Sequence, residues 1–319
     1  MDKLRKEVQC IGTEEEIDPE LLAVIVFTSG TTGKSKGVML SHKNIITDVM
    51  SAKRILGLDE KDSSLSILPL YHTYEMTCDI LLMLYFGASV SLNDSLKYLS
   101  SNLKLMKPSV LFSVPMVVEQ MYQNIILAVK DQKKEKLFEV MLKVSSILRK
   151  MGFSCYKKLF ANVREQFGGN LKLIICGGSN LDQDYIDFFD NIGINVVHGY
   201  GITECSPLLS ANPDCCKKRY SVGPVVSCCQ VKVDNSQNYG CYNGHEVGEI
   251  MAKGDNIMLG YYNDTQGTRE VMKGEWFKTG DIGYIDEDNY LFITGRVKNL
   301  IILANGKNVS PENLESRLN

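Results

Sequence analysis

The sequence lacks several features that would place a protein in a specialised class. Its apolar runs, such as Ile80–Phe86, are short, whereas a helix needs about 20 apolar residues to span a bilayer. A net charge of −3 gives no basic footprint for nucleic acid or for an anionic membrane. With 23% charged and 44% hydrophobic residues, the composition also argues against disorder. We therefore expect a globular protein without transmembrane segments or nucleic-acid partners.

The ten cysteines also lack a metal-binding spacing. Cys215–Cys216 and Cys228–Cys229 are vicinal pairs, whereas a zinc ribbon needs C-x-x-C pairs. The first residues do not have the pattern of a secretory signal peptide. We therefore expect reduced thiols and a cytoplasmic location.

The most informative stretch is LLAVIVFTSGTTGKSKGVMLS, residues 21–41. Its β-branched start, Leu21–Phe27, predicts a buried strand of a mostly parallel sheet. Residues 28–37 contain three glycines, five hydroxyl residues and two lysines, a composition that suits a loop wrapped around an anion. Ser41 is the expected N-cap of a helix that continues to Lys53.

An ordinary Walker A loop is the first alternative for this stretch. That motif needs a glycine five residues before Gly33, and Thr28 is found there. A glycine- and serine-rich loop is more often a solvated connector than a binding site. The preceding strand and the two lysines favour phosphate binding here.

The rest of the chain alternates short apolar strands with helical segments, which is typical of βαβ units. Expected strands are 64–70, 88–92, 108–114, 171–176 and 194–197, and expected helices are 77–86 and 182–192. The prediction is an α/β fold with a doubly wound, mostly parallel sheet and helices on both faces. From Ser221 onward, short alternating runs with glycine and asparagine turns predict a small β-barrel or distorted sheet, including a hairpin at 283–294.

At 319 residues the chain suits about two domains. We expect a mobile lead-in at 1–20, an α/β nucleotide-binding part at 21–209, a β-rich part at 210–297, and a hinge with the start of a further domain at 298–319. The region 117–167 is expected to be helical. Its charge run, KDQKKEK, is expected to be a solvated helical hairpin in preference to a membrane or partner surface.

Polar and glycine residues follow several of the expected strands. Gly177, Gly178 and Ser179 follow one strand at its carboxyl end, where parallel α/β sheets bind ligands. Tyr200, between two glycines, could stack on a purine, and Glu204 offers a hard oxygen ligand to Mg²⁺. Alone, the first of these motifs would be a plain turn, and the second would be a strand-end turn with a surface acid.

Two further positions have side chains suited to a nucleotide, and a third carries a histidine. Asp281, in WFKTGD, could accept hydrogen bonds from both ribose hydroxyls. Arg296 would add a permanently charged fork near ribose and phosphate. His72, in LPLYHTYE, would by itself be a structural histidine more often than a site residue.

The string TSGTTGKSKGV resembles the phosphate-binding loop of the adenylate-forming superfamily, with Ser35 where that family usually has proline. Further motifs of the same family, in the same order, resemble four later segments: LPLYHTYE, YGITE, WFKTGD and GRVK. The block at 248–262, GEI to GYY, also matches and is interpreted as mainly architectural. Within this family the chain looks most like long-chain fatty acyl-CoA synthetases. Three segments carry that resemblance: GVMLSHKNI, the expected helical region at 117–167, and TGRVKNLIILANGKNVSPENLE.

The resemblance implies ATP, Mg²⁺ and coenzyme A as co-substrate, with a fatty acid as the second substrate. It implies catalytic roles for Lys36, His72, Thr203 and Glu204, and metal contacts for Thr28 and Glu204. The nucleotide-binding residues that it implies are Thr28, Ser29, Gly30, Thr31, Thr32, Gly33, Lys34, Lys36, Gly177, Gly178, Ser179, His198, Gly199, Tyr200, Gly201, Thr203, Asp281, Arg296 and Lys298.

Two other functions remain open from the sequence. One is a different adenylate-forming ligase, such as a peptide-synthetase domain or an aryl or short-chain acid ligase, and the other is a non-catalytic ATP-binding fragment. The chain looks like the central part of a longer enzyme, without the family's late catalytic lysine, so impaired activity is expected of this piece alone. The resemblance leaves peripheral membrane contact open.

Overall fold

The computed structural model describes residues 16–28, 35–153, 156–237 and 239–299, with strand backbone at 301–302 and 308–309 and one further position, 311. The strands are β1 Leu22–Thr28, β2 Lys36–Ser41, β3 Ser63–Ser66, β4 Ser89–Leu92, β5 Val110–Ser113, β6 Leu173–Cys176, β7 Asn195–Gly201, β8 Leu208–Ala211, β9 Gly223–Pro224, β10 Cys229–Asp234, β11 Cys241–Tyr242, β12 His245–Glu246, β13 Gly248–Gly254, β14 Gly260–Tyr261, β15 Met272–Lys273, β16 Trp276–Ile285, β17 Tyr290–Arg296, β18 Ile301–Ile302 and β19 Asn308–Val309. The α-helices are α1 His42–Lys53, α2 Leu82–Phe86, α3 Leu99–Met106, α4 Pro115–Asp131, α5 Glu135–Lys150, α6 Tyr156–Leu159, α7 Ala161–Arg164, α8 Gln183–Asn191 and α9 Thr265–Val271. A π-helix spans Tyr74–Leu81, and 3₁₀ turns span Leu96–Tyr98, Glu165–Phe167, Thr203–Cys205 and Val297–Asn299.

The predicted α/β sheet is confirmed. Six strands lie in the order β4-β3-β5-β6-β7-β8, parallel except for the last pair. Side chains alternate between the two faces: Leu111, Ile174 and Val196 pack in one core cluster, while their neighbours Phe112 and Ile175 pack in another. The first cluster includes α4, α5 and α8, and the second includes α1, the π-helix and α2. Helices therefore cover both faces.

The β-rich part is an open, distorted antiparallel sheet and not a closed barrel over the residues that the structure describes. Its strand order is β10-β13-β16-β17-β9, with β15 added beside β16. Register shifts interrupt the β13–β16 and β16–β17 pairs. One shift lies at Gly283, where a Cβ atom would be 2.0 Å from the carbonyl oxygen of Phe292. The predicted turn of the β16–β17 hairpin lies at 286–289, as expected from the sequence.

The prediction for the first strand is wrong in one respect. β1 does not join the parallel sheet: it pairs antiparallel with β2, and β2 pairs antiparallel with β14. Much of β1 is also exposed, including Phe27 at 66%. The short connection accounts for the orientation of the β1–β2 pair, since seven residues can close a hairpin but cannot make a parallel crossover, which needs a dozen or more. β2 itself was not expected from the sequence.

Helix α1 begins as predicted. The Ser41 side chain accepts a hydrogen bond from the Asn44 amide, and the Asn44 side chain accepts from the Ser41 amide, which completes a capping box. The helix predicted at 77–86 starts earlier, as the π-helix, and continues as α2. The region 117–167 is helical as expected, divided among α4 to α7 and a 3₁₀ turn. Among the residues described, none of the helices has the length and apolar character needed to cross a bilayer.

The predicted domain limits at 20, 209 and 297 stay predictions. Residues 1–15 of the expected lead-in, and most side chains of the last segment, lie outside the described part of the chain. Backbone hydrogen bonds join the two predicted parts at two places: β2 pairs with β14, and the amide of Val226 donates to the carbonyl of Leu209. The α/β and β-rich parts are thus in direct contact.

Candidate active site

The two residues that flank the glycine-rich loop are partners in neighbouring strands. Thr28 and Lys36 are partners in the β1–β2 register, so residues 29–35 form the hairpin connection. The Lys36 Nζ atom lies 4.3 Å from the centroid of the Tyr261 ring, a cation–π contact. The expected phosphate-binding residues between them, Ser29 to Lys34, lie outside the described residues.

Tyr261 also links this lysine to the predicted metal ligand. Its hydroxyl donates to Glu204 Oε1 at 2.8 Å. The backbone carbonyl of Glu204 accepts from the amide of Met258, two residues before β14. Burial and the neighbouring Glu204 carboxylate raise the pKa of Tyr261, so its hydroxyl remains a donor at neutral pH. Lys36, Tyr261 and Glu204 therefore form one connected group.

Asp281 lies at the centre of a second group. Its Oδ2 atom accepts from the Tyr200 hydroxyl at 2.7 Å, and its Oδ1 atom lies 2.8 Å from Arg296 Nε. Asp281 and Arg296 are cross-strand partners in β16 and β17, which fixes their spacing. Burial raises the pKa of Tyr200, which keeps it protonated. The carboxylate is almost fully buried while the guanidinium is half exposed.

The end of β7 joins the two groups. Tyr200 is the penultimate residue of β7, and Glu204 lies in the 3₁₀ turn that follows, with Thr203 beside it. The chain must bend tightly between them: a Cβ on Gly201 would lie 2.2 Å from the carbonyl oxygen of Pro207. Glycine alone fits this close approach. Lys36, Glu204 and Asp281 come from three separate parts of the sequence, and the two groups that hold them meet at the end of β7, where Tyr200 and Glu204 are four residues apart.

The predicted adenine-pocket residues lie beside β7, on the neighbouring strand end. In the parallel register Cys176 is the partner of His198, so Gly177 and Gly178 follow β6 next to Gly199. The His198 ring Nε2 lies 2.9 Å from the Ser179 carbonyl oxygen. A carbonyl can only accept, so Nε2 carries the proton. Burial lowers the pKa of His198, and a neutral imidazole therefore fixes the loop.

His72 lies apart from these contacts. It is exposed, and its ring centroid is 4.7 Å from that of Tyr71. In the described part of the chain, no hydrogen bond or ion pair of its side chain joins it to Glu204 or Asp281. Lys298 lies in the short turn directly after Arg296. The roles assigned to these two residues stay predictions.

The sequence interpretation missed Tyr261, because the GYY block was taken as architectural. It also missed Tyr74, whose hydroxyl donates to the carbonyl of Ile175 at 2.8 Å. A Cβ on Gly177 would lie 3.3 Å from the Tyr74 ring, so ring and glycine loop are closely packed. The sequence signal for Tyr74 is its place in LPLYHTYE, two residues after His72. No sequence motif indicates that the Tyr261 hydroxyl bonds to Glu204, 57 residues away.

The π-helix carries two buried carboxyl groups that the sequence did not predict. The Ser66 hydroxyl donates to Glu75 Oε1, and the Ser64 hydroxyl donates to Asp79 Oδ1, both at 2.5 Å. Burial raises the pKa of Glu75, and burial together with nearby Glu75 raises the pKa of Asp79 to about 7. These groups connect the π-helix to β3 beneath the strand ends.

Fold and site together define a class: an α/β protein of adenylate-forming architecture, in which tyrosine hydroxyls donate to the carboxylates of Glu204 and Asp281. The AMP-binding enzyme family matches residues 2–262, and the chain belongs to that family. Solved structures share the fold, among them ATP-bound MatB from Rhodopseudomonas palustris, with a TM-score of 0.72 and 26% identity over 95% of this chain and 53% of that one. O-succinylbenzoate coenzyme A synthetase (MenE) from Bacillus subtilis, in complex with ATP and magnesium ion, has a TM-score of 0.71 and 25% identity over 99% of this chain and 59% of that one.

Long-chain acyl-CoA synthetases are among the curated relatives that the chain matches. Long chain acyl-CoA synthetase 7, peroxisomal, from Arabidopsis thaliana is 35% identical over 93% of this chain and 44% of its own length. The long-chain-fatty-acid–CoA ligase of Haemophilus influenzae is 33% identical over 97% of this chain and 51% of its own. The chain spans about half the length of these relatives. Because one relative is named peroxisomal, the expected cytoplasmic location stays a prediction.

Proposed function

We propose that this chain is part of an AMP-forming acyl-CoA synthetase, an acid–thiol ligase. Such an enzyme joins a carboxylate to the α-phosphate of ATP, releases diphosphate, and then transfers the acyl group from the acyl-adenylate to the thiol of coenzyme A. The proposed acid is a long-chain fatty acid, because the relatives named above are long-chain enzymes. Membership of the AMP-binding enzyme family supports the nucleotide.

The observation that carries the proposal is the connected set of contacts at the end of β7. Tyr261 joins Lys36 to Glu204, and Asp281 joins Tyr200 to Arg296. A nucleotide offers phosphate charge at one end and ribose hydroxyls at the other. The cationic lysine with its glycine-rich loop suits the first, and the buried carboxylate suits the second.

On the phosphate side, Lys36 would supply positive charge to the oxygens of the leaving diphosphate. Glu204 fits Mg²⁺, because a carboxylate has lone pairs beyond the one that accepts from Tyr261, and Mg²⁺ commonly takes one or two carboxylates plus phosphate oxygens. Thr28 would offer its hydroxyl nearby. When bound, Mg²⁺ would neutralise phosphate charge that otherwise repels the attacking carboxylate.

On the nucleoside side, Asp281 would accept hydrogen bonds from the ribose hydroxyls. An ionised carboxylate can accept about four hydrogen bonds, and Tyr200 and Arg296 each donate to a different oxygen of Asp281. The two neighbours keep the carboxylate fixed in one orientation, which reduces the entropy lost on binding. The glycines that follow β6 and β7 would let the adenine ring lie against backbone.

The test is ATP–diphosphate exchange by the full-length protein with a panel of acids. Long-chain fatty acids should support exchange, whereas amino acids and aryl acids should not. Glu204→Gln should lower the exchange rate by about 100-fold, because the amide is a weaker ligand for the Mg²⁺ that would neutralise phosphate charge in the transition state. Glu275→Gln, at an exposed ion pair with Lys253, is the matched control and should leave the rate unchanged.

Two results would contradict the proposal. Exchange supported by amino acids alone would indicate a peptide-synthetase type of ligase. ATP binding without exchange, for any acid of the panel, would indicate a binding protein and not a ligase.

A further inference from the structure

Helix α5 exposes a row of apolar side chains on its outer face. Leu137, Val140, Val144 and Ile147 lie on the helix and Met151 follows it, with exposed fractions between 40% and 64%. Their spacing alternates between three and four residues, which places them along one side of a helix. At about 1.5 Å per residue the stripe is roughly 21 Å long. We call these five residues the α5 stripe.

The α5 stripe is not the face by which the helix packs on the protein. That face carries Phe138 and Ser145, which are buried. Phe138 contacts the rings of Phe160 and Phe188, and the Ser145 hydroxyl donates to the carbonyl of Asn191 at 2.6 Å. The helix is therefore already anchored, and the stripe is a second apolar face turned outward.

A row of lysines borders the stripe. Lys136, Lys143 and Lys150 recur every seven residues, and all three are exposed. Each lies three or four residues from Val140 or Ile147, so the lysine row and the stripe are neighbours on the helix surface. Long lysine side chains in such positions can cover apolar surface and extend their ammonium groups outward.

The charge of this region is opposite to that of the whole chain. Residues 130–158 contain nine basic and three acidic residues, while the full chain has a net charge of −3. One of the basic residues, Arg149, is paired with Asp190. The net charge of the chain therefore does not show that this helical hairpin is strongly basic. The sequence led us to expect a solvated hairpin and to assign it no partner.

We propose that the α5 stripe and its lysine row dock on an anionic lipid surface, with the helix lying in the plane of the interface. The stripe would enter the boundary between headgroups and acyl chains, and Lys136, Lys143 and Lys150 would contact lipid phosphates. Charge decides between occupants: a second copy would bring its own lysine row against this one, whereas an anionic bilayer complements it. The proposal is independent of the proposed function.

The first experiment measures co-sedimentation of the protein with phosphatidylcholine vesicles, with and without phosphatidylserine. Binding should require phosphatidylserine and weaken as salt is raised. The charge reversal Lys136→Glu, Lys143→Glu, Lys150→Glu should lower binding by at least about tenfold. The same reversal at Lys61, Lys97 and Lys104, exposed lysines elsewhere, should leave it nearly unchanged. Equal losses in both triple variants would overturn the proposal, as would absence of binding by the unaltered protein.

The second experiment tests the apolar part. Val140→Ser with Ile147→Ser should weaken binding to the same vesicles, while Leu92→Ser with Leu105→Ser, also exposed apolar positions, should not. Thermal unfolding should be unchanged in both, since these side chains are exposed. If the Val140 and Ile147 variant instead binds vesicles normally and changes the oligomeric mass in solution, the stripe is an interface between protein chains and the proposal is wrong.

Discussion

Replacing Asp281 by asparagine tests the proposed ribose contact. The carboxylate is 3% exposed, with Tyr200 donating to one oxygen and Arg296 to the other. Asparagine has nearly the same shape but no charge. Its amide oxygen can still accept from Arg296, and its NH₂ group can donate to the Tyr200 hydroxyl, which can act as acceptor. The local packing should therefore survive the substitution.

The expected loss of stability is small. The Arg296 side chain is 56% exposed, so solvent screens its attraction to the carboxylate. Both hydrogen bonds can be re-formed with a neutral partner. We expect a decrease of about 1 kcal/mol in the free energy of unfolding, measured by urea denaturation.

The expected loss of ATP affinity is larger. A hydrogen bond to a charged acceptor contributes about 1.5–3 kcal/mol, which corresponds to roughly 10- to 150-fold in Kd. The amide also replaces one acceptor oxygen by an NH₂ group, at a site where the ribose hydroxyls would donate to the carboxylate. Titration calorimetry with Mg·ATP would measure the change. Asp288→Asn, in the turn of the same hairpin with its side chain 71% exposed, is the matched control and should bind ATP normally.

Either of two outcomes would refute this reasoning. If Asp281→Asn keeps its fold and binds ATP as tightly as the unaltered protein, Asp281 does not contact the ribose. If it loses several kcal/mol of stability, the carboxylate is a structural group whose charge the core requires.

Three further substitutions test other parts of the site. Tyr261→Phe removes the hydroxyl that donates to Glu204 but keeps the ring beside Lys36. The Mg²⁺ concentration needed for half-maximal ATP binding should rise about fivefold or more, with little change in the free energy of unfolding. An unchanged Mg²⁺ requirement would contradict this. Gly201→Ala places a Cβ against a backbone carbonyl and should destabilise the protein by roughly 3 kcal/mol. At Gly199 the nearest atom to a Cβ lies at 3.4 Å, so Gly199→Ala should be tolerated. Thermal unfolding of the two variants would compare these effects. The folded-state pKa of Asp79, about 7, lies above its unfolded value of 3.8, so the neutral carboxyl stabilises the fold fully below the unfolded pKa and this contribution is lost as pH rises through about 7. Asp79→Asn should flatten the decline in urea-measured stability between pH 5 and 8, to which Asp79 contributes about 2 to 3 kcal/mol. An unchanged pH profile would argue against a raised pKa.

Much of the fold was predictable because local patterns decide it. Buried strands such as β5 and β6 are continuous apolar runs between turn signals, and Ser41 precedes its helix with the residue type that caps one. The strand β1 has the same apolar appearance, yet it lies in an antiparallel hairpin. Composition could not show this, because the partner of β1 is decided by the length of the loop and by β14, more than 200 residues later.

The candidate site was predictable where a motif lies at a strand end, as for Tyr200 and Glu204. It was not predictable where a side chain acts through distant partners. Tyr261 lies 57 residues from Glu204, and Glu75 and Asp79 became notable only once their burial was known. The basic charge of residues 130–158 can be counted from the sequence. The exposure of the α5 stripe cannot, because it depends on which face of the helix packs against the core.

The pairing of β14 with β2 has a consequence for exchanging parts between relatives. The hairpin that presents the glycine-rich loop and the strand that carries Tyr261 are separated by more than 200 residues in the chain but are hydrogen-bonded neighbours. A chimera that imports residues 22–41 alone would combine a foreign hairpin with a native β14. Recombination libraries should therefore transfer 22–41 and 260–261 as a single inheritable block.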